Sequence, residues 1–327
     1  MHVLLVGGAG YIGSHVLELL NRSGYQVSVI DNLYSGLRSN VPDDIPMEQA
    51  DIRKPDELGA ALDAIASRGP IDAVVHLAAL KAAGESMIEP ARYAHSNVTG
   101  TLNLLEALIY RNIRHVVFSS SAAVYGAPQY DPIDESHPTN PENYYGFTKL
   151  EIERNFAWFD KLSSMRFGVL RYFNAAGYDP EGRVRGLESN PANLIPVIME
   201  VAAGTRKKLL VFGDDYETVD GTGVRDYVHV SDLAEAHRLA LEYTREEDKS
   251  ITVNLGSEQG VSVMQVVEAA RRTSGRDIAV EIAPRRAGDP PELVASSALA
   301  RKVLGWEPKY SDIDSIVDTT WKVYRDQ

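Results

Sequence analysis

The sequence predicts an α/β protein in which a doubly wound parallel sheet, covered by helices on both faces, is followed by a smaller C-terminal lobe. Its first half alternates short apolar segments, typical of strands, with longer amphipathic segments, typical of helices. The apolar segments are continuous, as expected for strands that are covered on both faces. From about Asn174 the chain changes to loops rich in Gly, Asp, Asn and Pro, predicted at 174–193 and 213–226, interrupted by short elements.

The elements of the first half follow one another in a regular order. His2–Val6 predicts a strand, a helix then extends to about Ser23, and Gln26–Ile30 predicts a second strand that ends at Asp31. Met47–Ala50 predicts a third strand, and Lys54–Ala66 predicts a helix with Pro55 at a suitable early position. The remaining predicted elements are the strands Ile71–Ala78, Ile113–Ser119 and Arg166–Phe173 and the helices Val98–Tyr110 and Tyr145–Leu162.

The C-terminal lobe is predicted to hold helices at 194–203, 231–246, 262–273 and 313–325 and strands near 209–212, 251–255 and 278–282. Ligands of open α/β sheets bind beyond the carboxyl ends of the strands. We therefore expect this lobe to cover the crevice there and to bind a ligand.

A glycine-rich loop follows the first strand directly. Gly7 would make the tight turn, Gly10 would let backbone approach a pyrophosphate, and Gly13 would let the helix pack closely on the strand. The anion would sit at the N-terminus of the helix, where backbone N–H groups are unpaired. The strand, loop and helix therefore predict a dinucleotide-binding site.

Asp31 selects the dinucleotide. Its carboxylate, at the end of the second strand, can accept hydrogen bonds from an adenosine ribose and would repel a 2′-phosphate, so we expect NAD and not NADP. The sequence thus predicts a Rossmann-type NAD-binding domain over residues 1–174 and a substrate-binding lobe over residues 175–327.

Composition excludes several classes of protein. The 327 residues carry a net charge of −13, which disfavours a nucleic-acid or anionic-membrane surface. No apolar segment approaches the roughly 18 residues needed to span a bilayer, and no signal-peptide pattern precedes the first strand. The chain has no cysteine, and its eight histidines form no HxH, HxxH or HxxxH pair, so we expect neither disulfides nor a metal site.

Tyr145 and Lys149 form the first candidate for chemistry. Four residues apart on a helix, they lie on one face about one turn apart. A lysine near a tyrosine favours the phenolate, which lowers the pKa of the phenol. Such a phenolate can remove a hydroxyl proton while a hydride leaves the same carbon.

Ser119, Ser120 and Ser121 end the fifth predicted strand and supply the second candidate. A serine there can hydrogen-bond the reacting oxygen and share the proton with Tyr145. The alternative is that these hydroxyls satisfy nearby backbone groups, as some of three consecutive serines must. Ser121 is our candidate for the reactive contact, with Ser120 as the alternative.

Together with the motifs DNLYSG, HLAALKAAGES, SSSAAVYG, YYGFTK, LRYFNAAG, DGTGVRDYVHV and APRRAGD, the GGAGYIGSH loop resembles the UDP-glucose (UDP-galactose) 4-epimerase family of the extended short-chain dehydrogenase/reductases. The motifs occur in order from residue 1 to about residue 310. The resemblance implies reversible 4-epimerisation of UDP-hexoses through a transient 4-keto sugar, with NAD retained and regenerated.

The resemblance also implies roles for individual residues. Tyr145 acts as base and then acid, Lys149 tunes it and holds the nicotinamide ribose, and Ser121 orients the sugar 4-oxygen. The implied NAD-binding residues are Gly7, Gly10, Tyr11, Ile12, Gly13, Asp31, Asn32, Asp51, Ile52, Leu77, Ala78, Ala79, Lys81, Tyr145, Lys149 and Phe173.

Residues for the UDP-sugar come mainly from the second half of the chain. Arginine forks suit diphosphate oxygens, a helix N-terminus at Asn193 and Leu194 suits a phosphate, and Val211 and Phe212 could face the uracil. Asp289 could accept from the nucleotide ribose. The full set of substrate-binding candidates is Ser121, Asn174, Asn193, Leu194, Val211, Phe212, Arg225, Tyr227, Arg286, Asp289 and Leu293.

Three positions depart from the family pattern. Ala123 replaces a threonine that relatives often carry, which removes an accessory hydroxyl worth about 1–2 kcal/mol. Ser96 lies where relatives place an asparagine near the cofactor, although Asn97 adjoins it and the alignment can slip by one. Leu293 lies where a bulky tyrosine tends to exclude N-acetyl sugars, so we hypothesise that UDP-GlcNAc and UDP-GalNAc are also accepted.

Other functions remain as alternatives. A nucleotide-sugar dehydratase needs an acid–base pair after the active-site serine, where this chain has Ala122 and Ala123. A UDP-glucuronate decarboxylase or 4-epimerase, a simple alcohol dehydrogenase and a non-catalytic sensor of NAD or sugar nucleotides complete the alternatives. A sensor has no use for the Tyr145–Lys149 pair.

Assembly and location are expectations of the same resemblance. The apolar stripes Leu102, Leu105 and Leu108 and Phe156, Phe159 and Leu162 could pair across a two-fold axis or could face the sheet. The resemblance implies a homodimer built on these two helices. We expect a cytoplasmic protein that binds neither nucleic acid nor membrane.

Overall fold

The structure is a computed structural model that describes residues 1–187, 191, 193–286 and 289–326. Its strands are β1 (His2–Val6), β2 (Gln26–Asp31), β3 (Met47–Gln49), β4 (Ala73–His76), β5 (His115–Ser119), β6 (Arg166–Tyr172), β7 (Asn174–Ala176), β8 (Leu209–Phe212), β9 (Val224–His229), β10 (Ile251–Leu255), β11 (Gly260–Ser262), β12 (Val280–Ala283) and β13 (Glu292–Leu293). Its α-helices are α1 (Tyr11–Arg22), α2 (Pro55–Ala66), α3 (Ala83–Ile88), α4 (Pro90–Tyr93), α5 (Gly100–Tyr110), α6 (Tyr144–Leu162), α7 (Leu194–Ala202), α8 (Val230–Glu246), α9 (Val263–Ser274), α10 (Ala298–Leu304) and α11 (Ile313–Tyr324).

The strands and helices predicted for the first half are confirmed, and β1 and β4 are buried along their whole length. β4 is shorter than the predicted strand because the chain turns after His76. The N–H groups of Leu77 and Ala78 both donate to the Val6 carbonyl, at 2.8 and 2.9 Å. This turn brings the end of β4 against the glycine loop that follows β1.

The central sheet has the strand order β10-β6-β5-β4-β1-β2-β3. β1 lies between β2 and β4 and is parallel to both, with Val6 opposite Ile30 on one side and His76 on the other. The strand order therefore reverses at β1, which is where open α/β sheets bind ligands. The carboxyl ends of β1, β2 and β5, followed by Gly7, Asn32 and Ser120, meet at this edge of the sheet.

β10 does not lie where the sequence placed it. Residues 251–255 were expected in the C-terminal lobe, but the strand pairs with β6 at the edge of the central sheet. Pairing between strands distant in the sequence depends on which sheet edge remains open. The hydropathy of a strand carries no such information.

The sheet-facing sides of α5 and α6 form much of the core. Leu105, Leu108 and Phe156 are fully buried there. The Phe156 ring stacks on Phe167 at 4.4 Å and meets Phe118 edge-on at 5.1 Å. The apolar stripes were expected either to pair across a two-fold axis or to face the sheet, and these three residues face the sheet.

Other apolar residues of the same two helices face solvent in this chain. Leu102 is 36% exposed, Trp158 61% and Leu162 79%, whereas Phe159 packs partly against the core. The two stripes are therefore divided between the core and an outer apolar surface.

A π-helical turn over Ala94–Thr99 precedes α5. A π-turn accommodates one more residue than an α-turn, so it changes which side chains face inward. Asn97 is fully buried as a result, whereas the preceding Ser96 is half-exposed.

β9 organises a small second sheet. β7 and β13 are parallel to it and β11 is antiparallel, while β8 and β12 form a separate parallel pair. The predicted loop at 213–226 thus ends in a strand. The Gly- and Asp-rich sequence before Val224 gave no sign of that strand.

Two compact units are formed, each from several segments of the chain. One comprises Met1–Gly126, Pro138–Arg171 and Ala234–Val253, and the other comprises the remaining described residues. The predicted functional division at residue 174 stays a prediction. No helix in the described ranges combines the length and the apolar character needed to cross a bilayer.

Candidate active site

The glycine loop after β1 leaves no room for side chains at two positions. Gly7 has a positive φ of 91°, and a Cβ built on it would lie 2.6 Å from the Ala78 nitrogen. A Cβ on Gly13 would lie 2.3 Å from the Gly7 carbonyl oxygen, so the first turn of α1 packs directly on the loop. Gly10 caps α1 without a side-chain acceptor. The N-terminal N–H groups of α1 can therefore receive an anion such as the pyrophosphate of NAD.

Asp31 lies beside this loop at the end of β2. Its carboxylate is buried and accepts the backbone N–H groups of Ala9 at 3.0 Å and Leu33 at 2.8 Å. Burial raises the pKa of Asp31, and the two backbone hydrogen bonds oppose that shift. The carboxylate is thus held in a fixed orientation, with acceptor capacity left for a ribose hydroxyl.

Asn32 and Asp51 are linked across neighbouring strand ends. The Asn32 amide donates to Asp51 at 3.1 Å, and Arg53 contacts both Asp51 oxygens through Nε at 2.9 and 3.0 Å. The Arg53 guanidinium lowers the pKa of Asp51 to about 2, so this carboxyl is ionised. Ile52 packs in the core against Gly100. Sequence reasoning missed Arg53, whose only signal was its place two residues after Asp51.

The chain after β4 is held by Asn97. The Asn97 side-chain oxygen Oδ1 accepts the Leu80 N–H at 2.8 Å, and the side-chain nitrogen Nδ2 donates to the Leu80 carbonyl and to Thr148 Oγ1, both at 3.0 Å. Asn97 is thus the buried asparagine next to the predicted cofactor residues, and Ser96 is not. Two predicted NAD-binding residues in the chain after β4 remain accessible: Ala79 is half-exposed and Lys81 is exposed.

Tyr145 lies in the first turn of α6. The Asn143 side chain caps this helix at Gly146, and the Tyr145 N–H donates to Ser86 Oγ at 3.0 Å. Ser121 lies near the Tyr145 phenol and opposes the rise of its pKa, while Ser121 Oγ accepts the Ala123 N–H at 3.2 Å. The structure therefore brings together the two groups that the sequence assigned to one proton transfer.

Lys149 lies one turn further along α6 and is buried. Its ammonium donates to the Ser119 carbonyl at 2.7 Å and lies 5.9 Å from the centroid of the Tyr145 ring. Burial lowers the pKa of Lys149 to about 7, and the charge of Glu153 opposes that shift.

The pKa of Tyr145 differs from the sequence expectation. We expected Lys149 to lower it, but burial raises the pKa of Tyr145 to about 12, while the nearby Ser121 hydroxyl opposes the shift. Desolvation of the phenolate therefore outweighs the ammonium one turn away. The spacing of two residues does not reveal how deeply both are buried.

Ser120 has a different partner from Ser121. Its hydroxyl donates to the buried carboxylate of Glu153, which also forms an ion pair with Arg171 at 2.5 Å. Arg171 donates in turn to the Tyr125 hydroxyl at 3.0 Å. Sequence reasoning missed Glu153 and Arg171. The signal available for Glu153 was its spacing of four residues after Lys149.

Two predicted nucleotide-binding residues pair with each other in the second unit. Arg225 Nη2 lies 2.5 Å from Asp289 Oδ1, and Arg225 Nη1 donates to the Val224 carbonyl at 2.7 Å. Leu293 lies opposite Arg225 in the register between β13 and β9. The Arg225 fork is therefore oriented before any ligand binds.

Arg286 and Phe212 also lie together, with the guanidinium carbon 4.0 Å from the ring centroid. Val211 is buried, so of the two residues proposed to face the uracil only Phe212 offers side-chain surface. Within the motif that contains Arg286, Ala287 and Gly288 lie outside the described residues.

The remaining predicted substrate residues are placed by β7, β9 and α7. Asn174 donates to the Asp226 carbonyl at 2.8 Å and lies opposite the buried Tyr227 in the β7–β9 register. Asn193 is exposed at the N-terminus of α7, where it makes no side-chain cap, and Leu194 begins that helix. The predicted cofactor residue Phe173 is buried. No group of three or more potential metal ligands converges among the residues that the structure describes.

Comparisons with known proteins agree with this arrangement. Residues 3–256 match the NAD dependent epimerase/dehydratase family. UDP-glucose 4-epimerase of Halalkalibacterium halodurans is 46% identical over 326 residues, which span 100% of this chain and 96% of the relative.

Solved structures are similar over the whole chain. The crystal structure of UDP-glucose 4-epimerase from Brucella ovis in complex with NAD has a TM-score of 0.95 at 42% identity and covers 99% of this chain and 98% of its own. The UDP-glucose 4-epimerase from Stenotrophomonas maltophila, with bound NAD and formylated UDP-arabinopyranose, has a TM-score of 0.94 at 40% identity and covers 100% and 98%. The chain therefore belongs to the NAD dependent epimerase/dehydratase family, in the branch of the UDP-glucose 4-epimerases.

Proposed function

We propose that this chain is an NAD-dependent UDP-hexose 4-epimerase that interconverts UDP-galactose and UDP-glucose through a 4-keto sugar, with NAD retained and regenerated in each turnover. The observation that carries the proposal is the placement of Ser121 near the Tyr145 phenol, with Lys149 one turn away along α6. These residues share one compact unit with the glycine loop. The similarity to UDP-glucose 4-epimerases over the full chain supports the same function.

The residues around the sheet edge fit NAD. Gly7 and Gly13 let the loop and α1 pack closely, and Gly10 places no side chain at the start of α1, where first-turn N–H groups have no side-chain acceptor and can receive the pyrophosphate. Asp31 and Asn32 would hold the adenosine ribose. Lys149 has three donors and uses one for the Ser119 carbonyl, so two remain for the nicotinamide ribose.

Tyr145 and Ser121 carry the proton transfer in this proposal. NAD, when bound, would supply the acceptor and then the donor of the hydride exchanged with the sugar C4. The Tyr145 phenolate takes the proton of the 4-hydroxyl as the hydride leaves, and it gives that proton back when the hydride returns. The Ser121 hydroxyl donates a hydrogen bond to the same sugar oxygen.

To act as a base, Tyr145 must ionise to the phenolate, which a nearby positive charge would stabilise. Burial raises the pKa of its phenol to about 12, so the free phenol is protonated near neutral pH. The Lys149 ammonium is the cation of this chain that lies along the same helix face. We infer that Lys149 acts in the protonated form, because only then does it stabilise the phenolate.

Arg225, Arg286 and Asp289 are our candidates for the nucleotide. A guanidinium has five N–H donors, and Arg225 uses those on Nη1 and Nη2 that face Val224 and Asp289. The remaining donors suit diphosphate oxygens. Phe212, stacked with Arg286, offers an aromatic face to the uracil.

The competing chemistry lacks residues for its acid–base steps. Ala122 and Ala123 follow Ser121 where a dehydratase needs an acidic pair. Because both positions are alanine, neither side chain can give a proton to the sugar or take one from it. Epimerisation needs neither of them.

A cytoplasmic homodimer is also part of this proposal. The outer faces of α5 and α6 expose Leu102, Ile109, Tyr110, Trp158 and Leu162, an apolar surface suited to an isologous contact between helix pairs. Light scattering should give twice the mass of the chain, and Trp158→Asp should give the monomer mass. A monomeric wild type would contradict the dimer without affecting the proposed reaction.

The proposed function is tested by a coupled assay of UDP-galactose conversion to UDP-glucose without added NAD. Wild type should turn over, and Tyr145→Phe should lose roughly two to three orders of magnitude in kcat because it cannot accept the proton. Tyr144→Phe is the matched control, since it removes the neighbouring hydroxyl. Absence of wild-type turnover even with NAD added would overturn the proposal.

A further inference from the structure

Glu153 continues the helix face that carries Tyr145 and Lys149. The three residues follow one another at intervals of four along α6, and Glu153 is 9% exposed. A carboxylate buried to this degree is rare unless it is paired. The proton-transfer steps proposed above do not use it.

The Glu153 carboxylate is fixed by two partners. Arg171 on β6 contacts both carboxylate oxygens through Nε at 3.1 Å and one of them through Nη2 at 2.5 Å. The Ser120 hydroxyl donates to the other side of the group. Arg171 is itself held by Tyr125, so the carboxylate has little freedom to rotate.

The surroundings of Lys149 contain few charges. On its own helix it faces Tyr145 and Glu153, and from β5 it faces the Ser119 carbonyl and the Phe118 ring, whose centroid is 4.5 Å away. From β4 it faces His76, a buried histidine whose pKa is lowered to about 3 and which is therefore neutral.

Glu153 is the negative charge that raises the pKa of Lys149 against the effect of burial. Nevertheless, the ion pairs of the described chain include none between Lys149 and Glu153, because the carboxylate is engaged by Arg171. The charge is close enough to influence the ammonium but does not contact it.

We propose that Glu153 is a positioning residue for catalysis, whose carboxylate, held by Arg171 and Ser120, keeps the Lys149 ammonium protonated without drawing it away from Tyr145 and the Ser119 carbonyl. This inference rests on the proposed function, since it assigns a role within the same site. A direct ion pair would turn the ammonium toward residue 153. Arg171 prevents this by occupying the carboxylate.

The test compares two substitutions of Glu153 with a control. Glu153→Gln keeps the size of the side chain and one acceptor oxygen but removes the charge and replaces the other oxygen with an amide donor, and Glu153→Asp keeps the charge. Glu151→Gln makes the same change of charge two residues away on α6, where Glu151 is partly exposed. Bound NAD and thermal unfolding are measured for each variant.

Removing the charge should lower the pKa of Lys149, because Glu153 opposes the effect of burial. The fall of kcat at high pH, called the alkaline limb here, reflects the loss of the Lys149 proton. In Glu153→Gln this limb should therefore move to lower pH by about one unit. The kcat at pH 8 should fall about tenfold, with less than a twofold change in KM for UDP-galactose. Glu153→Asp and Glu151→Gln should keep limbs close to that of wild type.

A second readout needs no turnover. In protein labelled with ¹³C at the lysine ε-carbon, the Lys149 resonance is assigned by its loss in Lys149→Arg, and its titration midpoint should be lower in Glu153→Gln than in wild type. An inactive wild type would therefore count against the proposed function, while the titration would still decide this inference.

Two results would overturn the inference. One is a Glu153→Gln variant with wild-type limb and titration midpoint. The other is an equal loss in the Gln and Asp variants without a shift of the limb, which would mean that Glu153 only supports packing. If Glu153→Gln does not fold, Glu153→Asp decides: a limb and a Lys149 titration midpoint close to those of wild type support the inference, and a shift of about one unit or more in either direction overturns it.

Discussion

The Ser121 side chain lies near the Tyr145 phenol, whereas the neighbouring Ser120 hydroxyl donates to Glu153. Two adjacent serines at the end of β5 therefore serve different partners. We predict that Ser121→Ala lowers kcat for UDP-galactose by about 10- to 100-fold with a small change in KM, because the lost contact acts on the reacting oxygen. Steady-state kinetics at saturating substrate measure this loss.

Ser120→Ala is the matched comparison for Ser121→Ala. It should lose less than about fivefold in kcat, since Arg171 still holds the Glu153 carboxylate. A larger loss in Ser120→Ala than in Ser121→Ala would show that the roles of the two serines are reversed.

Gly13→Ala is predicted to abolish the retention of NAD. The added Cβ would lie 2.3 Å from the Gly7 carbonyl oxygen, so either α1 or the loop must move. We expect at least about a tenfold drop in the NAD released from the purified protein on denaturation.

Gly84→Ala is the control for the glycine loop. A Cβ at Gly84 would meet no atom within 4 Å, and alanine favours the helix α3. This variant should keep its full content of NAD. Equal NAD content in Gly13→Ala and Gly84→Ala would contradict the close packing of α1 on the loop.

His76 should make the folded chain sensitive to acid. Its ring is buried with Nδ1 unpaired, and burial lowers its pKa from 6.5 to about 3. Between these two values the unfolded chain binds a proton here that the folded chain does not. The stabilising contribution is thus complete above pH 6.5 and declines as the pH falls toward 3, by about 1.4 kcal/mol per pH unit.

The comparison of His76→Gln with wild type isolates this effect. The free energy of unfolding, measured in urea at pH 7.0, 5.5 and 4.5, should fall less steeply with acidity in the variant. His95→Gln, which changes an exposed histidine, should keep the slope of wild type. A parallel slope in His76→Gln would show that His76 is protonated in the folded chain.

The first half of the fold could be predicted because each local signal was independent of distant residues. Glycines require a specific backbone at Gly7, and continuous apolar strands require cover on both faces. The edge position of β10 could not be predicted, since it depends on the strand already at that edge. The short strands of the second unit were concealed by loops rich in Gly and Asp.

The sequence predicted the individual residues of the candidate site but not the hydrogen-bond and ion-pair network around them. Tyr145, Lys149 and Ser121 followed from spacing and placement. The pKa of Tyr145 did not, because burial cannot be obtained from spacing. Asn97 was left open against Ser96, since a π-turn shifts the register by one residue. Arg171 was missed because a buried arginine on β6 gives no local signal.

Arg225→Gln is predicted to weaken the binding of UDP by about 10- to 100-fold. The fork is oriented by Asp289 and the Val224 carbonyl, and its free donors suit a diphosphate. Calorimetric titration with UDP measures the loss. Arg285→Gln removes a neighbouring exposed arginine that pairs with Asp215, and it should change the affinity less than about threefold.

Asp289→Asn tests the other partner of this pair. It should also weaken UDP binding, and the double variant should lose less than the sum of the two single losses, because Arg225 and Asp289 are in contact. Tighter binding of UDP by Asp289→Asn would mean that Asp289 only neutralises Arg225. Its proposed contact with the ribose would then be wrong.

Leu293 is predicted to admit N-acetylated sugars. It is paired with Arg225 in the β13–β9 register, which places it near the proposed diphosphate site, and leucine leaves more space than tyrosine. Wild type should therefore turn over UDP-GlcNAc as well as UDP-galactose, and Leu293→Tyr should lose UDP-GlcNAc turnover by at least about tenfold while UDP-galactose turnover is kept. Glu292→Tyr, which adds the same bulk on the opposite side of the strand, should leave the ratio unchanged. A wild type active on UDP-galactose alone would contradict this hypothesis and would mean that residues other than Leu293 close the pocket around the sugar 2-substituent.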